Sequence, residues 1–452
     1  MKKYMFILAI IIILSAILSF LPHVNYSLPL HVDEYVHFQY ASNLTEDSPL
    51  YFTGNSTSLE RGFHLELATL KSLGVPYLFQ FSFFPAILTA ILSLSIFIVT
   101  RRIFNTTSAI FASLFIALLK SSVEILGPAF LVPMSIGLIL ITLGLFLLEL
   151  SSSLFFIPLA SLLIIHPPSA LAYFLIININ LAIKRTNIKK TIILQAFAFL
   201  LALPLYLTRF IEQRLSTIDN LSFTIISSPL FIPRLIGYIS ILIIALGIYS
   251  SLIKKRYDLT IYTLTFIFFI MLFYFYKIEL FLPYRRSLMY LFIILSILFG
   301  LGCSKIINSS KNKKIVFAIM LILLLAIYLP PKIQSSDYFY HIAEESDYDS
   351  LIYIRENTPS SSIVLAEPWF SNAITPISQR QVYSRIIQGK NKEMQIKNNL
   401  AINFFMDECR NTQFLKENNL SIIYGNCSNS DLKEIHQNVY LFQSAVTNST
   451  IQ

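Results

Sequence analysis

The chain has 452 residues, of which 55% are apolar and only 13% charged, with a net charge of +9. Soluble proteins carry about 25% charged residues, so a cytosolic enzyme is excluded, and 38 Phe with 24 Tyr exclude a disordered chain. Three Cys cannot build a disulfide scaffold and no His/Cys spacing resembles a zinc site, which leaves an integral membrane protein whose charge reports orientation, not nucleic-acid binding.

A bilayer core of about 30 Å needs roughly 20 apolar residues per helix. Eleven runs approach this, near 4–21, 77–99, 106–121, 130–149, 152–165, 168–183, 191–208, 235–252, 259–276, 287–304 and 315–330. No A-x-A-like cleavage site follows the first run, which is expected to stay as a helix. The run at 152–165 is short, and parity decides it. Basic clusters mark the cytoplasmic side, at Lys2-Lys3, Arg101-Arg102, Lys184/Arg185/Lys189/Lys190, Lys254-Lys255-Arg256 and Lys305/Lys311/Lys313/Lys314. Between Arg102 and Lys184 the chain must cross an even number of times, so four helices fit and three do not.

The expected topology is multi-pass, in the cell membrane, with a cytoplasmic N-terminus and residues 331–452 outside. It predicts an α-helical polytopic membrane domain over 1–330 and a small extracytoplasmic α/β domain over 331–452. The first part carries 24 Lys+Arg and 12 Asp+Glu, the second 10 and 13. All seven His and ten of the twelve acids of the membrane part then fall outside; only Glu149 and Asp258 border the cytoplasm.

The longest outer loop, 22–76, holds His31-Val-Asp33-Glu34-Tyr-Val-His37-Phe38 and then Arg61-Gly-Phe-His64-Leu-Glu66. Adjacent carboxylates with a His three residues on can form an acid/base site, one accepting a proton while the other shapes its pKa or holds a cation. A solvated loop with scattered charges is the plainer alternative. Further on, His166-Pro167-Pro168 is read as a turn, since Pro stops a preceding helix. Arg209, Arg214 and Arg234 flank a loop with an apolar middle, 223–231, expected to lie on the membrane. Leu-Pro-Tyr-Arg285-Arg286-Ser opens the tenth run on the outer side, where basic residues are disfavoured. Arg presents a planar fork suited to phosphate oxygens, although snorkelling at a helix end is the commoner use.

A first helix ending in an outer loop with D-E-x-x-H-F resembles the GT-C class of membrane glycosyltransferases, and within it the protein O-mannosyltransferases and their prokaryotic relatives. The resemblance implies transfer of a sugar from a polyprenyl-phosphate (dolichyl-phosphate) donor to a glycan, lipid or protein acceptor at the outer face, with no nucleic-acid partner. On it Asp33, at the family's first acidic position, is the base, and Glu34 orients the acceptor or a divalent ion. Arg285 and Arg286 receive the lipid phosphate, with His37, Arg61 and His64 as further substrate-binding candidates. Metal dependence stays open, because an Asp-Glu pair serves either case.

In the outer domain a helix is expected at 349–357 and strands at 363–366, 381–383 and 421–424. The segment from Ile354 resembles the lead into the W-W-D-x-G signature of oligosaccharyltransferases, but Glu367-Pro368-Trp369-Phe370-Ser371 stands in its place. Without the Asp, glycosylation of Asn in sequons is not expected. Cys409 and Cys427 lie in a compartment that permits a disulfide, and Cys303 reads as packing.

An oligosaccharyltransferase-like enzyme using a lipid-linked oligosaccharide is the nearest alternative. A transporter would carry charges at helix midpoints and Gly-interrupted helices. None of the eleven runs has a central charge, and no two of the 12 Gly are four residues apart. A non-enzymatic membrane protein gives no reason for the Asp-Glu pair.

Overall fold

A computed structural model of the chain describes residues 2–47, 60–120, 127, 129–185, 187–212, 236–276, 278, 282–334, 341–386 and 392–442. The apolar loop 223–231 with Arg214 and Arg234, and the side chain of Arg209, lie outside the described residues. The chain forms two compact units: residues 1–25, 48–214 and 225–339 in the first, and 26–47, 215–224 and 340–452 in the second.

The first unit is helical. Its helices are α1 (Lys2–Phe20), α3 (Arg61–Ser72), α4 (Tyr77–Ile103), α5 (Thr106–Leu118), α6 (Pro133–Glu149), α7 (Phe156–Ile165), α8 (Pro167–Lys184) and α9 (Ile188–Glu212). They continue as α10 (Tyr238–Ile253), α11 (Tyr257–Tyr276), α12 (Tyr284–Ser309) and α13 (Lys313–Gln334); α2 (Val32–Asp47) belongs to the second unit. Each of the eleven apolar runs contributes a helix, and six of these helices are long and apolar enough to cross a membrane. The Pro330-Pro331 pair does not close the last one. Helix α13 continues to Gln334, because proline keeps a helical φ and removes only bonds in the final turns.

Helix α12 is the centre of this unit and is buried on almost all sides. Between apolar helices in lipid, attraction comes from close packing, which small residues permit. A Cβ on Gly300 would stand 2.1 Å from the Ser108 carbonyl oxygen of α5, and one on Gly302 2.1 Å from that of Ile243 in α10. Only glycine lets α12 lie this close to both neighbours. At one end of the bundle two acids, Glu149 and Asp258, are held by a single guanidinium. Arg256 donates to both Glu149 oxygens, at 3.1 and 2.8 Å, and to both Asp258 oxygens, at 3.0 and 2.6 Å. This bidentate pairing ties the end of α6 to the start of α11.

The second unit joins α2 to an α/β arrangement of α14 (Glu345–Asn357), β1 (Ile363–Leu365), α15 (Ser371–Ser378), β2 (Gln381–Val382), α16 (Lys392–Met406), α17 (Thr412–Glu417), β3 (Ile422–Tyr424), β4 (Leu432–His436) and β5 (Val439–Phe442). The sheet order is β2-β1-β3-β5-β4, parallel through β2, β1 and β3 and antiparallel beyond. The three expected strands are present; the hairpin β4–β5 was not anticipated. Its turn places Asn438 in the left-handed region at φ 60°, which Asn tolerates. Cys409 and Cys427 are disulfide-bonded beside this sheet, in a core with Phe404, Leu415 and Ile423. The segment leading into α2 is fastened to the same unit: Tyr26 Oη donates to the Ala343 carbonyl at 2.6 Å, and the backbone N–H of Ser27 to Glu345 at 2.8 Å. Within α2, Gln39 accepts from Arg385 at 2.9 Å.

Candidate active site

Asp33 and Glu34 occupy the second and third positions of α2, behind His31 as the capping residue. Glu34 is fully buried, and its carboxylate accepts from the backbone N–H of Leu30 at 2.8 Å and of His31 at 3.2 Å. That is the reciprocal half of a capping box. The other half is made by a histidine, since His31 Nδ1 accepts the Asp33 N–H at 3.1 Å. The same nitrogen lies 4.0 Å from Asp33 Oδ2, an ion pair only if it carried a proton.

Asp33 therefore differs from its neighbour. Its side chain is 17% exposed, and it sits on the first turn of the helix. A base must reach its proton, and of the two carboxylates Asp33 is the accessible one. His37, one turn further along α2, is buried.

The remaining candidates stand in the first unit. Arg61 opens α3 and is buried, with its Nη2 lacking a hydrogen-bond partner among the described residues. The helix start is seated by Gly62, where a Cβ would come 2.5 Å from the Ile164 side chain and 2.8 Å from its carbonyl oxygen on α7. His64, one turn on, is fully enclosed, and burial pushes its pKa down to about 3, so it carries no positive charge at neutral pH. It can exchange hydrogen bonds with a ligand but cannot offer a cation. Burial also raises the Glu66 carboxyl to about 7.

Arg285 and Arg286 are half-buried in the first turn of α12, which contains no acidic residue. Two cations at the positive end of a helix repel its dipole, and an anion would relieve both. Among the described residues the hydrogen-bond partner of Arg286 Nη1 is a soft acceptor, Met134 Sδ, at 3.7 Å. The charge of Arg286 adds to burial in holding His166 well below the usual histidine range.

His166 has more than the role of a turn. Helix α7 does stop just before it, at Ile165, as expected, and Pro167 opens α8, but the imidazole is fully buried, with Nδ1 2.6 Å from Ser169 Oγ and Nε2 3.5 Å from Glu60 Oε1. Ser169 in turn meets Tyr290 Oη of α12 at 3.0 Å. This line of polar groups fixes the junction of α7, α8 and α12 beside Arg286. The Ser three residues after His, at helical spacing, is the signal that sequence reading passed over. Among the described residues no group of three or more His, Cys, Asp or Glu stands together as a metal site.

Solved structures of an oligosaccharyltransferase from the archaeon Archaeoglobus fulgidus share this fold. The form tethered to an acceptor peptide with the NVT sequon aligns at TM-score 0.65 and 13% identity, over 93% of this chain and 68% of that one. The apo form of that enzyme aligns at 0.53 and 14%, over 93% and 69%. An archaeal oligosaccharyltransferase AglB from the same organism, in complex with an inhibitory peptide and a dolichol-phosphate, aligns at 0.54 and 12%, over 93% and 69%. No protein-family model matches the sequence, and no curated protein matches it.

Proposed function

We propose that the chain is a GT-C-type membrane glycosyltransferase that moves a sugar from a polyprenyl-phosphate-linked donor to a hydroxyl acceptor at the outer face. The observation that carries this is the division of labour at the start of α2, where Glu34 is committed to the cap and Asp33 is left accessible. The acceptor O–H loses its proton to Asp33 as its oxygen attacks the anomeric carbon. The bond from that carbon to the phosphate oxygen breaks, the lipid phosphate leaves, and the configuration inverts. Charge developing on the leaving phosphate calls for preorganised cations. Arg285 and Arg286 at the head of α12, and Arg61, whose Nη2 has no hydrogen-bond partner among the described residues, suit that task.

The test is transfer from a labelled polyprenyl-phosphate sugar by purified protein. Asp33→Ala should lower the rate by about 10²–10⁴-fold with unchanged membrane abundance, the usual contribution of a positioned base. Undiminished transfer would end the assignment.

Transfer of a lipid-linked oligosaccharide to peptide is the second reading, favoured by the fold likeness to an enzyme solved with an acceptor peptide. Offering a sequon peptide beside hydroxyl acceptors separates the two. The departure at 367–371 predicts that the sequon peptide stays unmodified.

A further inference from the structure

At the end of α8 opposite His166, three chain segments enclose a cavity of about 70 Å³. Ser151, Ser152 and Ser153 of the α6–α7 turn form one side, and Asn180 and Lys184 of α8 another. Asn187 and Lys190, at the start of α9, close it. The lining holds hydroxyls, carboxamides and two ammonium groups, and no acid among the described residues. Lys184 pairs with Glu149 at 3.9 Å, whereas Lys190 has no ion pair among the described residues.

One further feature bears on the ligand. Behind the polar mouth the wall is apolar, made by Leu148, Phe155, Leu181 and Leu194. A free ion needs no such wall, whereas an amphiphile does.

We propose that this cavity binds a phosphate-bearing anion on Lys184 and Lys190, the apolar wall favouring a phospholipid headgroup of the basic-face leaflet over a free phosphate ion. Basic pockets between helices on that side suit lipid headgroups, and an exposed ammonium pair makes the binding salt-sensitive. The site is separate from the transfer chemistry and stands whether or not that reading holds.

The test titrates purified full-length protein in neutral detergent with short-chain phosphatidylglycerol and with inorganic phosphate, following bound ligand by native mass spectrometry. Phosphatidylglycerol should bind tighter than phosphate, and Lys184→Gln/Lys190→Gln should weaken it by about tenfold, or about 1.4 kcal/mol. Arg101→Gln/Arg102→Gln removes the same charge from another basic cluster and should leave binding unchanged. Equal affinity for both probes, lost in the lysine variant alone, would assign the pocket to free phosphate. Equal loss in both variants, or no binding of either probe, overturns the proposal.

Discussion

At the start of α2 two adjacent carboxylates meet different surroundings. Glu34 accepts the N–H groups of Leu30 and His31 in a buried position, so removing it leaves two donors unsatisfied, at about 1–3 kcal/mol each. Glu34→Ala should therefore lower thermal stability and abundance, whereas Asp33→Ala should spare both and remove turnover. Parallel losses of stability in the two variants would contradict this division. The α3 pair makes a second prediction, from pH. Glu66 titrates near 7 in the fold against an ordinary 4.5, so the folded state binds more protons between these values and stability falls as pH rises through them. Glu66→Gln should then raise the unfolding midpoint at pH 8, with the gap closing by pH 4. His64 runs the other way. Its proton is taken up by the unfolded chain below 6.5 and by the fold only near 3, so stability declines as pH drops across that interval.

Among elements, α3 depends on one close approach. Gly62→Ala should cost about 1–3 kcal/mol in thermal unfolding, as overpacking usually does. Ile164→Ala should rescue it only partly, because the Ile164 carbonyl oxygen stays 2.8 Å from the new Cβ. Closing the 18-residue separation between Cys409 and Cys427 contributes about 3 kcal/mol in the chain-entropy account. Cys409→Ser/Cys427→Ser should lower the free energy of unfolding by a comparable amount. Elements were legible where period and length are strong: eleven apolar runs became helices, and the β-rich stretches 363–366, 381–383 and 421–424 became strands. The hairpin at 432–442 was not, because LKEIHQNVYLF carries charge on the strand and lacks a Gly turn.

For the whole molecule, the charge distribution predicts opposite sides for the ends of α1 and α8. Single cysteines at Val24 and Lys189, both exposed, should react with an impermeant reagent from opposite faces of sealed vesicles; reaction from one face would remove the outer-site reading. Read as one stretch, the loop 22–76 is divided by folding. Its first half, from Tyr26 to Asp47, belongs with the C-terminal unit, where α2 packs against α15, while α3 packs with the helices of the first. Sequence could not show this, because Tyr26 and Ala343 meet across a separation of 317 residues.

Composition and charge by themselves determined that residues 1–330 are dominated by apolar runs of helical length, because burial in a bilayer leaves a local pattern of about twenty residues. They also singled out Asp33, Glu34 and the Arg285-Arg286 pair. Only tertiary structure decided that Glu34 is a cap and Asp33 the accessible acid, that His64 is uncharged, and that His166 joins Glu60, Ser169 and Tyr290. Burial and hydrogen-bond partners set those roles, and both depend on residues brought together from distant parts of the chain.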